Sequence, residues 1–252
     1  MDTPYTQWIT AQLDPLGERV KHIEPVRTGQ ASAVFAVLTN VHRYYFKICG
    51  APFTHEPQLA AALDSRMPGS VPRVLAMDTA RHWLLMADAG PILRSRIQAD
   101  GDSSLSDEML RRFAALQQEM IPRQEELLHL GVPDRRLDRL PVLYEDLIAD
   151  TPALLVGQEE GVSVAELERL RAFGPTVQKL CAQLADYKIP ETIQHDDFHT
   201  ANVSEQYHFL DWGECFVAHP FYSLLIALRD AKFNLGYDAP TLDRLRDVYL
   251  QC

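Results

Sequence analysis

Residues 33–49 read Ala-Val-Phe-Ala-Val-Leu-Thr-Asn-Val-His-Arg-Tyr-Tyr-Phe-Lys-Ile-Cys. β-branched and aromatic residues fill both halves, and Asn40 falls between them. The pattern predicts two strands, 33–39 and 43–49, joined by a tight turn. Upstream, residues 20–29 (Val-Lys-His-Ile-Glu-Pro-Val-Arg-Thr-Gly) have the same texture and run into Thr28-Gly29-Gln30. A third strand there completes an antiparallel meander. Further upstream, Trp8, Ile9 and Leu13 share one helical face and predict a helix over 4–14. Downstream, 54–66 reads as a helix with Thr54 as N-cap and Pro57 in its first turn. Residues 73–78 and 82–87 read as two more strands, and Asp88-Ala89-Gly90-Pro91 breaks the pattern.

Beyond Pro91 the periodicity is helical. Leu105, Met109, Phe113, Leu116 and Met120 recur at helical spacing over 105–121, and Pro122 ends that run. A turn is expected at Gly131-Val132-Pro133-Asp134 and a further helix over 137–148. Ser163-Val164-Ala165-Glu166 is a capping box opening a helix that runs to about Tyr187. A short hairpin is expected near 201–204 and 207–211, then helices near 221–235 and 241–251. Strands first and helices later predict an α+β fold with two lobes. Residues 1–90 form the first lobe, a five-stranded antiparallel sheet with a helix, ending in a hinge. Residues 91–252 form a mostly helical second lobe. The cleft between them is the expected small-molecule site.

The 252 residues carry 24 Lys+Arg against 35 Asp+Glu, a net charge of −11. That excludes a nucleic-acid binder working through a broad basic face. Apolar runs such as Leu224–Leu228 fall far short of the roughly 18 residues of a membrane span. The start, Met1-Asp2-Thr3-Pro4-Tyr5, has no basic stretch followed by an apolar one, so no signal peptide is expected. Cys49, Cys181, Cys215 and Cys252 are scattered and form no Cys-x-x-Cys. Together these predict a reduced, cytoplasmic protein with no nucleic-acid or membrane partner.

Chemistry concentrates at Gln194-His195-Asp196-Asp197-Phe198-His199-Thr200-Ala201-Asn202-Val203 and at Phe209-Leu210-Asp211-Trp212-Gly213. Magnesium-assisted phosphoryl transfer needs one carboxylate off the metal to accept the proton of the attacking hydroxyl. It needs an Asn and a second Asp to hold Mg²⁺, which prefers oxygen ligands. Kinases place these as Asp-x-x-x-x-Asn followed later by Asp-x-Gly. Asp197, Asn202 and Asp211 fit both patterns. Each also has a plain structural reading: Asp197 as a turn residue, Asn202 as a cap and Asp211 as a strand end.

His195-x-Asp197-x-His199-x-x-Asn202 followed by Leu210-Asp211-Trp212 resembles the aminoglycoside phosphotransferase and choline kinase family. The resemblance covers most of the chain and implies a two-lobed, protein-kinase-like fold. It implies ATP or GTP as phosphoryl donor, Mg²⁺ as cofactor and a small hydroxyl-bearing acceptor. It implies Asp197 as catalytic base, Asn202 and Asp211 as metal ligands, and His195 as structural brace of the catalytic loop. It asks for a strand-three Lys on the α- and β-phosphates, which is Lys47, and a helix Glu to hold it, which is Glu56. Glu24 is the alternative partner. Lys47 also reads as a strand-edge solubiliser, and Glu56 as a helix-start acid. The hinge would be Met86-Ala87-Asp88-Ala89-Gly90, and the phosphate-covering turn Gly29-Gln30-Ala31-Ser32, which has a single Gly. Asp196 stands where the family has Gly and sets a second carboxylate beside the base. Glu214 is either solvated or a neighbour of the metal ligands.

Two rival readings stand beside this one. His195, Asp196, Asp197, His199 and Asp211 could form the metal cluster of a hydrolase, although the spacing matches no zinc pattern. The chain could also be a catalytically silent kinase-like nucleotide-binding module, since only 41 residues follow Asp211. Residues 186–214 hold seven acids and one Lys, contributing −6 of the −11. An acidic cleft of this kind suits a cationic acceptor such as an aminoglycoside and would repel a metal-free nucleotide.

Overall fold

The computed structural model describes residues 3–252. Helix α1 (Pro4–Leu13) is capped by Thr3 and leads into the meander β1 (Val20–Thr28), β2 (Ser32–Thr39) and β3 (Arg43–Cys49). Helix α2 (Glu56–Arg66) follows, then β4 (Val74–Asp78) and β5 (Trp83–Ala87). The five strands form one antiparallel sheet in the order β1-β2-β3-β5-β4. Helices α3 (Leu93–Asp100), α4 (Ser104–Met120), α5 (Gln124–His129), α6 (Leu140–Ala149) and α7 (Val164–Asp186) come next. The strands β6 (Thr192–His195) and β7 (Cys215–Ala218) form a separate antiparallel pair, and α8 (Phe221–Phe233) and α9 (Ala239–Leu250) close the chain.

Strand alternation assigns the two faces of the large sheet. Phe35, Val37, Tyr44, Phe46, Trp83 and Leu85 point to one side and pack with Ile9 and Leu13 of α1. Phe46 is the hub, with ring centroids 5.7 Å from Tyr5, 5.8 Å from Trp8 and 5.6 Å from Trp83. The intervening residues Val34, Tyr45, Lys47, Leu84 and Met86 face the opposite way and line a cleft. A one-residue slip of β3 would swap Phe46 for Lys47 in the aromatic cluster, so burial pins the register. A second core lies among the helices around Phe113, Phe198, Phe209 and Trp212. Leu59 and Leu63 of α2 belong to this second core, not to the sheet's.

The structure departs from the sequence reading in three places. Helix α2 starts at Glu56, with His55 at the cap position and no side-chain cap bond, so Thr54 is not its N-cap. The helix expected over 137–148 starts at Leu140, where Pro141 occupies the first turn. The hairpin expected near 201–204 and 207–211 is a single bridge between Val203 and Phe209. Leu210 N–H to Asn202 O at 2.8 Å and Ser204 N–H to His208 O at 3.0 Å close that bridge, and Phe209 turns its own N–H outward to Ser70 O at 2.7 Å. Residues 200–202 wind into a short 3₁₀ turn. The regular pairing sits outside that loop, in β6 and β7, and holds its two ends together.

Candidate active site

Lys47 is centred on β3 and buried in the cleft wall. Its ammonium donates to Glu56 Oε1 at 2.6 Å and to Asp211 Oδ1 at 2.6 Å. Burial opposes its charge, but the Glu56 and Asp211 carboxylates outweigh that and hold its pKa above the ordinary lysine value. For Asp211 too, burial is the largest influence and raises the pKa, but Lys47, Arg27 and His195 together leave it below the usual carboxylate range. Glu56, deeper still, is pushed up by burial despite Lys47. The Cys49 thiol donates to its second oxygen at 3.5 Å. Glu24 takes no part, lying beside His22 on exposed β1.

Asp211 reaches Lys47 from a left-handed backbone conformation, φ 61° and ψ 58°. Gly213 permits the close approach: a Cβ there would sit 3.0 Å from the Phe53 ring and 3.2 Å from Glu56 Oε2. Asn202 Nδ2 donates to Asp197 Oδ2 at 2.8 Å and to Asp197 O at 3.0 Å. Both partners are acceptors, so the amide nitrogen must face them and Oδ1 is presented away from Asp197. An Asn oxygen and an Asp carboxylate lining one cleft fit a hard cation that completes its shell with water and phosphate oxygens. Asp197 is half exposed, and His199 Nε2 lies 3.1 Å from its Oδ1.

His195 ends β6 and is buried. Its Nε2 donates to Leu210 O at 2.8 Å, tying the loop before Asp197 to the residue before Asp211. Nδ1 has no partner, and burial keeps the pKa below the ordinary histidine value. Asp196 turns aside: Tyr222 donates to it at 2.7 Å and Arg135 at 3.4 Å. The five residues of the hydrolase reading are therefore not convergent. Among the described residues no group of three His, Cys, Asp or Glu is placed to hold a metal.

The cleft encloses about 320 Å³, within the range of small-ligand sites. Met86, Ala87, Asp88 and Gly90 line it, with Val34, Tyr45 and Leu84 above and Ile92, Phe209 and Leu210 below. The turn residues Gly29, Gln30 and Ser32 lie off this wall, and Gly29 N is spent on Ser32 O at 2.8 Å. Arg27, two residues earlier, is on the wall and donates to Asp211 Oδ2 at 3.1 Å.

Sequence reasoning missed Arg27 and a second group on α8. Ser223 Oγ accepts from His195 N at 2.8 Å. Asp230, two turns later, accepts from Thr200 N at 2.9 Å, Thr200 Oγ1 at 2.8 Å and Arg94 Nη2 at 2.6 Å. Helix α8 thus straps the loop at both ends. The available signal was an Asp seven residues after a Ser, on the stripe that also carries Leu224, Ala227 and Ala231.

Known proteins share this architecture. The choline kinase from Streptococcus pneumoniae superposes with a TM-score of 0.62 at 14% identity, covering 98% of this chain and 80% of its own. The ethanolamine kinase from Plasmodium vivax gives 0.63 at 11%, covering 100% and 75%. The aminoglycoside phosphotransferase APH(3'')-Id from Streptomyces rimosus, solved with ADP and streptomycin, gives 0.58 at 19%, covering 98% and 92%. At these identities the likeness establishes a kinase-like α+β fold. A comparison with curated proteins finds no match. The model of the phosphotransferase enzyme family (APH) matches residues 22–251, and the chain belongs to that family.

Proposed function

We propose that this phosphotransferase moves the γ-phosphoryl group of ATP or GTP to a hydroxyl of a small molecule. The observation that carries the reading is the Lys47 ammonium held between Glu56 and Asp211 in a cleft whose floor also presents Asn202. Residues 1–90 act as the nucleotide-binding lobe ending in the hinge, and 91–252 as the lobe with the catalytic loop and metal site. The nucleotide base lies against Met86, Ala87 and Asp88, and Lys47 neutralises the α- and β-phosphates. Asn202 and Asp211 are the residues that would hold Mg²⁺, which would supply charge neutralisation on the phosphates. Asp197 orients the acceptor hydroxyl and takes its proton. With a loose transition state, these groups act by position and charge. His195 braces the loop.

The acceptor faces Asp197 and Glu214, which suits a cationic hydroxyl compound such as an aminoglycoside. No described helix is long and apolar enough to cross a membrane, in keeping with a cytoplasmic enzyme. Replacing Asp197 by Ala should reduce turnover by at least about a thousandfold while nucleotide binding survives. The assay is mass spectrometry of a mixed hydroxyl library incubated with nucleotide and Mg²⁺. Retained turnover in Asp197→Ala removes the base assignment. Nucleotide binding without turnover of any acceptor favours the silent module.

A further inference from the structure

Arg27 stands on β1, an edge strand of the large sheet, and its guanidinium lies over the cleft. Asp211 carries a cation on each oxygen: Lys47 on Oδ1 at 2.6 Å and Arg27 on Oδ2 at 3.1 Å. The two cations differ in kind. Lys47 is buried and pinned by Glu56. The Arg27 side chain is 62% exposed, and among the described residues no second acid holds it. An exposed ion pair is worth at most about 1 kcal/mol, so this one exchanges readily. A nucleotide's phosphates offer more negative charge than one carboxylate, and a guanidinium fork matches phosphate oxygens bidentately.

The turn that would otherwise cradle phosphate is poorly equipped for it. Gly29 N is committed to Ser32 O, and Gly29, Gln30 and Ser32 stand off the cleft wall that Arg27 joins.

The geometry points to Arg27 as a phosphate-binding residue that rests on Asp211 until nucleotide arrives. On nucleotide entry the guanidinium transfers to the phosphates and uncovers Asp211 Oδ2 for the metal. Nucleotide and metal are thereby coupled through one side chain. This assignment rests on the nucleotide reading above and adds a residue to it.

Removing Arg27 should therefore act with opposite signs on the two ligands. In Arg27→Ala and Arg27→Gln, calorimetry with ADP in chelator should show affinity falling by about fivefold to tenfold. Mn²⁺ binding to the nucleotide-free protein, read by electron paramagnetic resonance, should tighten by about threefold to fivefold. General damage to the fold would weaken both, so the paired signs separate it from the proposed role. Unchanged ADP affinity overturns the phosphate contact. Mn²⁺ affinity that stays level or falls overturns the masking of Asp211. If the unaltered chain binds no ADP with or without metal, the nucleotide reading fails and the Arg27 assignment fails with it.

Discussion

The contact between α8 and the loop that carries Asp197 and Asn202 makes a quantitative demand. Asp230 has only 3% of its side chain exposed and accepts four hydrogen bonds: two from Thr200, one from Arg94 and one from Asn234. Replacing it by Ala strands the Thr200 N–H in a buried site and leaves the partly exposed Arg94 to find water. Hydrogen bonds to an ionised acceptor contribute about 1.5–3 kcal/mol each when buried. Taking the low end for the two Thr200 bonds and about 1 kcal/mol for the partly solvated Arg94 pair gives a loss of about 4 kcal/mol. That is a large share of the roughly 5–15 kcal/mol that holds a domain together. Asp230→Asn is the gentler probe. It keeps the shape, but its amide must face either Thr200 or Arg94 with a donor, for a loss of about 2 kcal/mol. Urea unfolding followed by tryptophan fluorescence reads both variants. Because Thr200 opens the turn that carries Asn202, kcat should fall about tenfold or more in Asp230→Asn. The nucleotide KM should move little, since Lys47 and Glu56 are untouched. A stability change below about 1 kcal/mol together with an unaltered kcat would refute the strap.

Two further outcomes follow from the site. Glu56→Gln removes the charge opposite Lys47 while keeping its length, so the nucleotide KM should rise about tenfold; an unchanged kcat/KM would take Glu56 out of nucleotide binding. The His195 ring, buried with Nε2 on a carbonyl and no acceptor at Nδ1, should titrate below 6.5, as read by NMR of the imidazole. The sign is that of a group buried neutral. Its contribution to stability is complete above the unfolded-state pKa and is lost as pH falls through 6.5 toward the lower folded-state value. A midpoint at or above 6.5 would contradict it.

The legible parts of this molecule are those whose partners are near in sequence or repeat with a period. Alternation in β3 separates Phe46 from Lys47 and sets the sheet's two faces with no knowledge of the rest of the chain. Asp197 and Asn202 meet because five residues of turn bring them within 2.8 Å. Long-range partners left no such trace. Arg27 meets Asp211 across 184 residues, and in sequence it is one more polar residue near the end of a strand. The inner hairpin falls short for a local reason. Val203 and Phe209 do pair, but through one bridge only, because residues 200–202 wind into a 3₁₀ turn and Tyr207 N–H closes a turn onto Ser204 O. The four-residue strands β6 and β7, lying on either side of that loop, are too short to show a period.

The acidic segment also changes meaning once its partners are visible. Seven acids between 186 and 214 suggest a strongly negative site that a bare nucleotide would avoid. In the fold two of them, Asp211 and Asp196, are met by cations from elsewhere and others by neutral donors. Asp211 is flanked by Lys47 and Arg27, both on strands of the sheet. Asp196 is flanked by Arg135 and Tyr222, Asp197 by Asn202 and His199, and Glu191 accepts from Leu137 N. Among the described residues Glu214 has no ion-pair partner: burial first, and then Asp197, Asp196 and Asp211, push its carboxyl above the ordinary range against a smaller pull from Arg27. The carboxylates without a permanent counter-charge are therefore on the Asp197–Glu214 side, where the proposed acceptor would sit. On the cleft side, Lys47 and Arg27 balance the carboxylates of Glu56 and Asp211. The two substrates of a phosphoryl transfer would thus meet different surroundings, an anionic donor meeting cations that balance carboxylates and an acceptor meeting carboxylates with no paired cation. That difference is a property of where the counter-charges come from, and it cannot be obtained by counting acids along the chain.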